Sequence, residues 1–215
     1  MHILSVNIGS AHPIANGKRT GTSGIFKNPV SGAVSIRTTG LTGDTIVDTD
    51  NHGGVDQAVY LYGQPDYVWW EAQLGRSLDA GTFGENLTIA DLVSSACSIG
   101  DRFHMGTALL EVTAPRIPCQ TLNARMEDAQ FIRRFRVAER PGLYCRVLIP
   151  GEVQQGDAVT YVPTLAASIP IVEAFQFFYE RHRHDRATLQ RFLAAPIDIR
   201  SRNELVIEYE ALQNP

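Results

Sequence analysis

Through residue 162 the chain is written in short apolar runs, most of them β-branched and each closed by Gly or Asp. The runs are His2–Ile8, Ala33–Thr38, Asp44–Asp48, Ala58–Tyr62, Asn86–Ile89, Asp101–Met105, Ala108–Thr113, Tyr144–Ile149 and Ala158–Val162. Segments of this length between turn residues predict strands. Gly100-Asp101 and Gly156-Asp157 each open one, a turn followed by a strand. Many short strands favour a barrel or a sandwich. Helical interruptions are few. Pro65–Leu74 has Pro in its first turn and Gly75 just past its end, and Cys119–Met126 and Asp128–Arg136 read as short helices. Trp69 and Trp70 in the first of these read as packing surface. After Pro163 the period lengthens. Ile169–Arg181, Ala187–Leu193 and Asn203–Leu212 carry apolar faces at helical spacing, with Ala195-Pro196 separating the last two. The expected organisation is a mainly β domain over 1–163 and a three-helix extension over 164–215.

Composition adds exclusions. A chain of 215 residues, 44% hydrophobic and 20% charged, is long enough to bury a core without staples. A formal net charge of -4 argues against a general nucleic-acid binder. The one dense basic run, Arg181–Arg186, reads as a solvated helix end. No apolar run reaches the ~20 residues of a membrane span, and Met1–Val6 reads as a first strand rather than a signal peptide. The three cysteines, Cys97, Cys119 and Cys145, are odd in number and widely spaced. The expectation is a reduced cytoplasmic protein whose thiols are free, catalytic or metal-binding. Three thiols cannot supply an all-cysteine iron–sulfur cluster.

Three segments carry candidate chemistry. In Asn51–Val59 (NHGGVDQAV), two glycines leave backbone N–H groups open to an anion, and His52 offers a hydrogen-bond donor; a plain turn before a strand is the alternative. In Gly81–Thr88 (GTFGENLT), Glu85 and Asn86 offer a carboxylate and an amide to a polar heterocycle, or merely close a tight turn. In Thr113–Leu122 (TAPRIPCQTL), Pro115 and Pro118 fix φ on either side of Arg116, so the backbone aims Cys119. The Arg116 charge and the start of a helix both favour thiolate, the form that attacks electrophiles or binds soft metals. Cys97 and Cys145 read as buried core thiols. His104, His182 and His184 lack a same-face partner for a zinc site, and no dinucleotide, Walker or nucleophile-elbow motif is present.

Taken in order, the segments Thr22–Val30 (TSGIFKNPV), Gly40–Asp44 (GLTGD), His52–Val59, Phe83–Thr88 and Pro115–Cys119 resemble the MOSC-domain family, named for the C-terminal domain of molybdenum cofactor sulfurase. The similarity is greatest to its small stand-alone YiiM-like branch. It covers roughly residues 20–160, and the helical tail resembles the three-helix extension of that branch.

The resemblance implies a MOSC-type β-barrel that binds molybdenum cofactor (molybdopterin with Mo), with Cys119 as metal ligand and catalytic centre. His52, Gly53, Gly54, Gln57, Gly84, Glu85, Asn86, Arg116 and Thr121 become candidates for the cofactor pocket. It also implies reduction of N-hydroxylated compounds to amines, with electrons from an external donor protein because the chain has no flavin, haem or iron–sulfur signature. Pyridoxal phosphate binding is a further association of the family. Two alternatives stand beside this: a carrier of the cofactor or of sulfur as a Cys119 persulfide, and a ligand-binding barrel with a structural cysteine. Gln120 and Thr121 follow the cysteine where some relatives carry an aromatic or basic residue and then Lys, and Ile117 replaces a Ser of some relatives. Substrate choice is the property those positions bear on.

Overall fold

The computed structural model describes residues 1–215 except 17–18, 50–51, 166–167, 181–183 and 213–215. Asn51 and the Arg181–Arg183 half of the basic run therefore lie outside the described residues. The main element is an eight-stranded sheet in the order Val159–Val162, Arg102–Met105, Ala108–Pro115, Leu143–Ile149, Val59–Gly63, Leu87–Ile89, Ile3–Ile8, Asn28–Val30. Every neighbouring pair is antiparallel except Val59–Gly63 with Leu87–Ile89. The barrel expectation needs correction. The sheet folds back until its ends meet, with the Ile3 N–H on the Asp157 carbonyl (2.9 Å), the Gly156 N–H on the Ile3 carbonyl (2.8 Å), the Val159 N–H on the Met1 carbonyl (3.1 Å) and a single bridge from His2 to Ala158, but among the described residues no strand ladder closes it. The architecture is a large open sheet with six helices among the described residues.

Burial explains which runs became strands. Val59–Gly63 and Leu87–Ile89 are buried at every position, as central strands covered on both faces must be. Arg102–Met105 alternates exposed and buried, the pattern of a strand with one wet face. Asp44–Asp48, expected as a strand, is irregular. The Asp44 carboxylate is committed to groups outside any ladder, accepting from the Gly9 N–H (2.9 Å) and pairing with Lys27.

Helix α1 (Gln64–Leu74) ends where Gly75 turns left-handed (φ 65) and its N–H returns to the Glu71 carbonyl. Helix α2 (Gln120–Met126) starts at Cys119, and α3 (Phe131–Ala138) buries Phe131 and Phe135 one turn apart. These rings join Trp70, Tyr62 and Phe83 in an aromatic cluster under the Gly81–Asn86 turn, where Tyr62 and Phe83 stack at 4.4 Å. Each fully buried ring contributes roughly 1.5–3 kcal/mol of transfer free energy, so the turn that carries Gly84 and Asn86 is anchored through Phe83. Trp70 is core, as its sequence context suggested.

Helices α4 (Ile171–Tyr179), α5 (Arg186–Ala194) and α6 (Ile199–Ala211) follow. Their inward residues, Ile171, Ala174, Leu189, Phe192 and Leu205, share a single apolar cluster with Val59, Leu110 and Val112 of the sheet. Helix α6 begins four residues before the expected Asn203 because Asp198 caps it, accepting from the Arg200 and Ser201 N–H groups (both 3.1 Å).

Candidate functional site

The Ala108–Pro115 strand delivers Arg116, and three residues later Cys119 sits at the N-cap of α2 in extended backbone (φ -117, ψ 174). Its carbonyl accepts the Leu122 N–H (2.9 Å), which fixes the peptide and leaves the thiol at the edge of a pocket. Burial alone would raise the thiol. A hydrogen bond from His52, the Arg116 charge, the His52 charge and a hydrogen bond from Thr121 outweigh it and lower Cys119 to about 6. The other cysteines show the opposite balance. Burial pushes Cys97 up to about 12 and Cys145 well above the usual thiol range, and both pack in the sheet's core.

Arg116 is almost entirely buried, at 4% exposure. One of its terminal nitrogens donates to the Phe83 carbonyl, its guanidinium lies 5.3 Å from the centre of the Tyr60 ring, and its buried Nε has no hydrogen-bond partner. A desolvated guanidinium with an unused donor is suited to an anionic or carbonyl-bearing guest. Asn86, Tyr60 and Tyr144 lie across neighbouring strands at this end of the sheet; the two tyrosine rings are 5.0 Å apart.

Under the pocket, Lys27 and Asp44 form a buried ion pair. Asp44 also accepts from Asn86 Nδ2 (2.9 Å), and Asn86 Oδ1 accepts the Tyr60 N–H (3.1 Å). Burial holds the Lys27 ammonium below its usual range despite the Asp44 charge. This network orients the Asn86 amide, because its oxygen and one amide hydrogen are already assigned.

The loop bearing His52 closes the remaining side. Gly53 (φ 71) and Gly54 (φ 82) are both left-handed, the backbone that favours glycine, and a Cβ on Gly53 would also push on the Ile46 side chain, whose Cδ1 lies 2.7 Å from its place. The loop ends in a 3-10 turn, Val55–Gln57.

The resulting pocket is a cavity of about 120 Å³ that opens to solvent. It brings together His52, Gly53, Gln57, Gly84, Asn86, Arg116, Cys119 and Thr121 of the residues singled out in the sequence. Gly54 and Glu85 do not line it. Gly54 stands behind the loop near Arg200, and Glu85 is fully buried. Glu85 Oε1 accepts from Tyr67 Oη (2.6 Å), the Gly81 N–H (2.7 Å) and Thr88 Oγ1 (2.7 Å), so this carboxylate braces the turn from beneath. Burial raises its pKa against those three donors. Lys27, Asp44, Tyr60 and Tyr144 line the pocket and were not singled out as site residues. Lys27 and Asp44 stand in two of the segments that carry the family resemblance, and that was their only sequence signal. His104 and His184 do not line it; the latter pairs with Glu208 at 3.1 Å.

Chemically, the pocket offers one activated thiol, a buried guanidinium with a spare donor, backbone amides at a glycine turn and a fixed side-chain amide. No group of three or more His, Cys, Asp or Glu among the described residues is arranged to hold a metal ion. A metal held here would take one soft ligand from the protein and bring the rest with it, which is the demand of a metal carried in an organic cofactor. The donor set fits molybdenum cofactor in that sense. No helix among the described residues is long and apolar enough to cross a membrane.

The MOSC domain model matches residues 48–160. The chain is 37% identical over 155 residues to the uncharacterized protein YflK of Bacillus subtilis, covering 72% of this chain and 70% of that one. It is 34% identical over 143 residues to a protein named "Reductase" from Gibberella moniliformis, covering 65% of this chain but only 25% of that longer protein. Among solved structures, the crystal structure of YiiM from Geobacillus stearothermophilus superposes with a TM-score of 0.78 at 27% identity, covering 97% of this chain and 98% of that one.

Proposed function

The chain belongs to the MOSC-domain family, and from that premise we propose that it holds molybdenum cofactor in the Cys119 pocket and reduces N-hydroxylated compounds to amines. The observation that carries this reading is the Cys119 thiol, brought to about 6 by His52 and Arg116 in a pocket that otherwise offers donors for an anionic, polar guest. The Gibberella relative named as a reductase supports an oxidoreductase over a simple binding module.

In this reading Cys119 is the protein's ligand to molybdenum. Arg116, with its spare Nε, His52 and the Gly53 backbone bind the anionic and carbonyl parts of the cofactor. Asn86, held by Asp44 and Tyr60, presents its amide in one orientation, and Thr121 adds a hydroxyl. When bound, the cofactor supplies two-electron oxygen-transfer chemistry. The overall conversion takes R–NH–OH, two electrons and two protons to R–NH2 and water, breaking one N–O bond. The electrons come from an external donor protein, and an odd number of widely spaced cysteines suits the reducing cytoplasm.

The test is expression of wild type and Cys119→Ser in a host that makes the cofactor, followed by measurement of bound molybdenum and pterin and of hydroxylamine turnover with a supplied donor. Wild type should hold near one molybdenum per chain and the variant little. Equal molybdenum in both sinks the ligand assignment. The accessibility of a low-pKa thiol also favours a second reading, a carrier of cofactor or of sulfur as a Cys119 persulfide. Bound cofactor or persulfide without turnover supports that one.

A further inference from the structure

The glycine loop that carries His52 is held from behind by a residue of the C-terminal helices, outside the segment that matches the MOSC domain. Arg200 stands in the first turn of α6. Its Nη1 donates to Gln57 Oε1 (3.2 Å), and its Nη2 reaches the Thr49 carbonyl (2.9 Å) and the His52 carbonyl (3.5 Å). One guanidinium thus ties the two ends of the loop together across Gly53 and Gly54, which have the widest backbone freedom in it. A second tie lies beside it: the Ile199 N–H donates to Asp56 Oδ2 (2.9 Å), whose other oxygen pairs with Arg146 (3.0 Å).

The arm that holds Arg200 is itself rigid. Asp198 caps α6 and is 3% exposed, and its N–H reaches the Thr113 carbonyl (3.3 Å) on the strand that leads to Arg116 and Cys119. Arg146 donates to the Pro196 and Ile197 carbonyls (both 3.1 Å), and Arg202 bonds the Leu193 and Ala195 carbonyls (2.8 and 2.6 Å). The first turn of α6 therefore takes its place from the same strand as the thiol.

We infer that Arg200 is a positioning residue, through which the helical tail sets the His52 loop over the pocket and so completes the cofactor site. The role in cofactor binding rests on the proposed function; the loop-holding role does not. The fork of the guanidinium is what matters, since three acceptors on two segments need donors spread in a plane. A lysine ammonium at this position reaches one of them.

Hydrogen–deuterium exchange of the cofactor-free protein tests the first part. Arg200→Ala should speed exchange of amides in residues 52–57 about tenfold, the weight of one net hydrogen bond to a charged group, while the Leu143–Ile149 strand exchanges as in wild type. Arg200→Lys should behave like Arg200→Ala. Unchanged exchange in the loop, an equal rise across the sheet, or full restoration by lysine overturns the inference. If Arg200→Ala does not fold, Gln57→Leu removes one acceptor with Arg200 intact, and a loop as protected as in wild type is then the overturning result. Molybdenum and pterin retained per chain test the second part. Arg200→Ala should lower retention, and Arg200→Ala combined with His52→Ala should retain no less than His52→Ala alone. Additive losses would show that Arg200 does not act through the loop. Wild type that binds no molybdenum defeats the proposed function and leaves the exchange result standing.

Discussion

The Cys119 thiol should titrate about three pH units below an ordinary cysteine, and His52 should account for part of that. An ordinary thiol at 9.0 is about 1% thiolate at pH 7, whereas one near 6 is about 90%. The difference corresponds to on the order of 4 kcal/mol between the two protonation states, set by the His52 and Thr121 hydrogen bonds and the Arg116 charge after the opposing cost of burial. His52→Gln removes a charge and the principal hydrogen bond, so the midpoint should rise by roughly one to two pH units, since a hydrogen bond to a charged group contributes roughly 1.5–3 kcal/mol and one unit corresponds to ~1.4 kcal/mol. The assay is the rate of iodoacetamide alkylation at Cys119 against pH, read by mass spectrometry on cofactor-free protein. Burial and raised values keep Cys97 and Cys145 out of the signal. Because the folded value lies below the unfolded one, the thiolate's contribution to stability is full above about pH 9 and is lost as pH falls through about 6. A wild-type midpoint between 8 and 9, or a His52→Gln midpoint still at 6, would refute the reasoning.

Three further outcomes follow from the same geometry. Asp44→Ala strands the Lys27 ammonium among buried groups and removes the acceptor for Gly9 and Asn86; urea unfolding should show a loss of about 3–5 kcal/mol, with part of it recovered in the Asp44→Ala, Lys27→Met double variant. Gly53→Ala meets both a left-handed backbone and Ile46 Cδ1 at 2.7 Å, so it should cost about 1–3 kcal/mol in the same assay and lower cofactor retention more than its effect on folding explains. Cys97→Ala and Cys145→Ala should each leave bound molybdenum near wild type while lowering the thermal midpoint by a few degrees, since both thiols fill core space; loss of metal without unfolding would assign one of them to the site.

Much of this protein is determined by its sequence alone. Val59–Gly63, Ala108–Pro115 and α1 were legible because period, turn residues and glycine caps act over a few residues, and their bounds moved by only one or two. The direction of Cys119 was legible for the same reason, since two prolines and a helix start are local constraints. Five ordered segments carry the family resemblance in the sequence itself, and the domain match agrees with it. Tertiary structure alone decided whether the sheet closes, because closure depends on how far the ends of eight strands curl past one another, and here His2 meets Ala158 without a ladder. It also separated Asn86 from Glu85. In the turn that leads into the Leu87–Ile89 strand the two adjacent side chains take different surroundings, so one amide reaches the pocket while its neighbour braces the turn from the core. Lys27 with Asp44 and Arg200 with Gln57 are pairs far apart in the chain, 17 and 143 residues, with no periodic signature to mark them. Hydrogen bonds at such separations exist only once packing has brought the partners together, and it is packing that turns a reactive-looking cysteine into one held at the edge of a formed pocket.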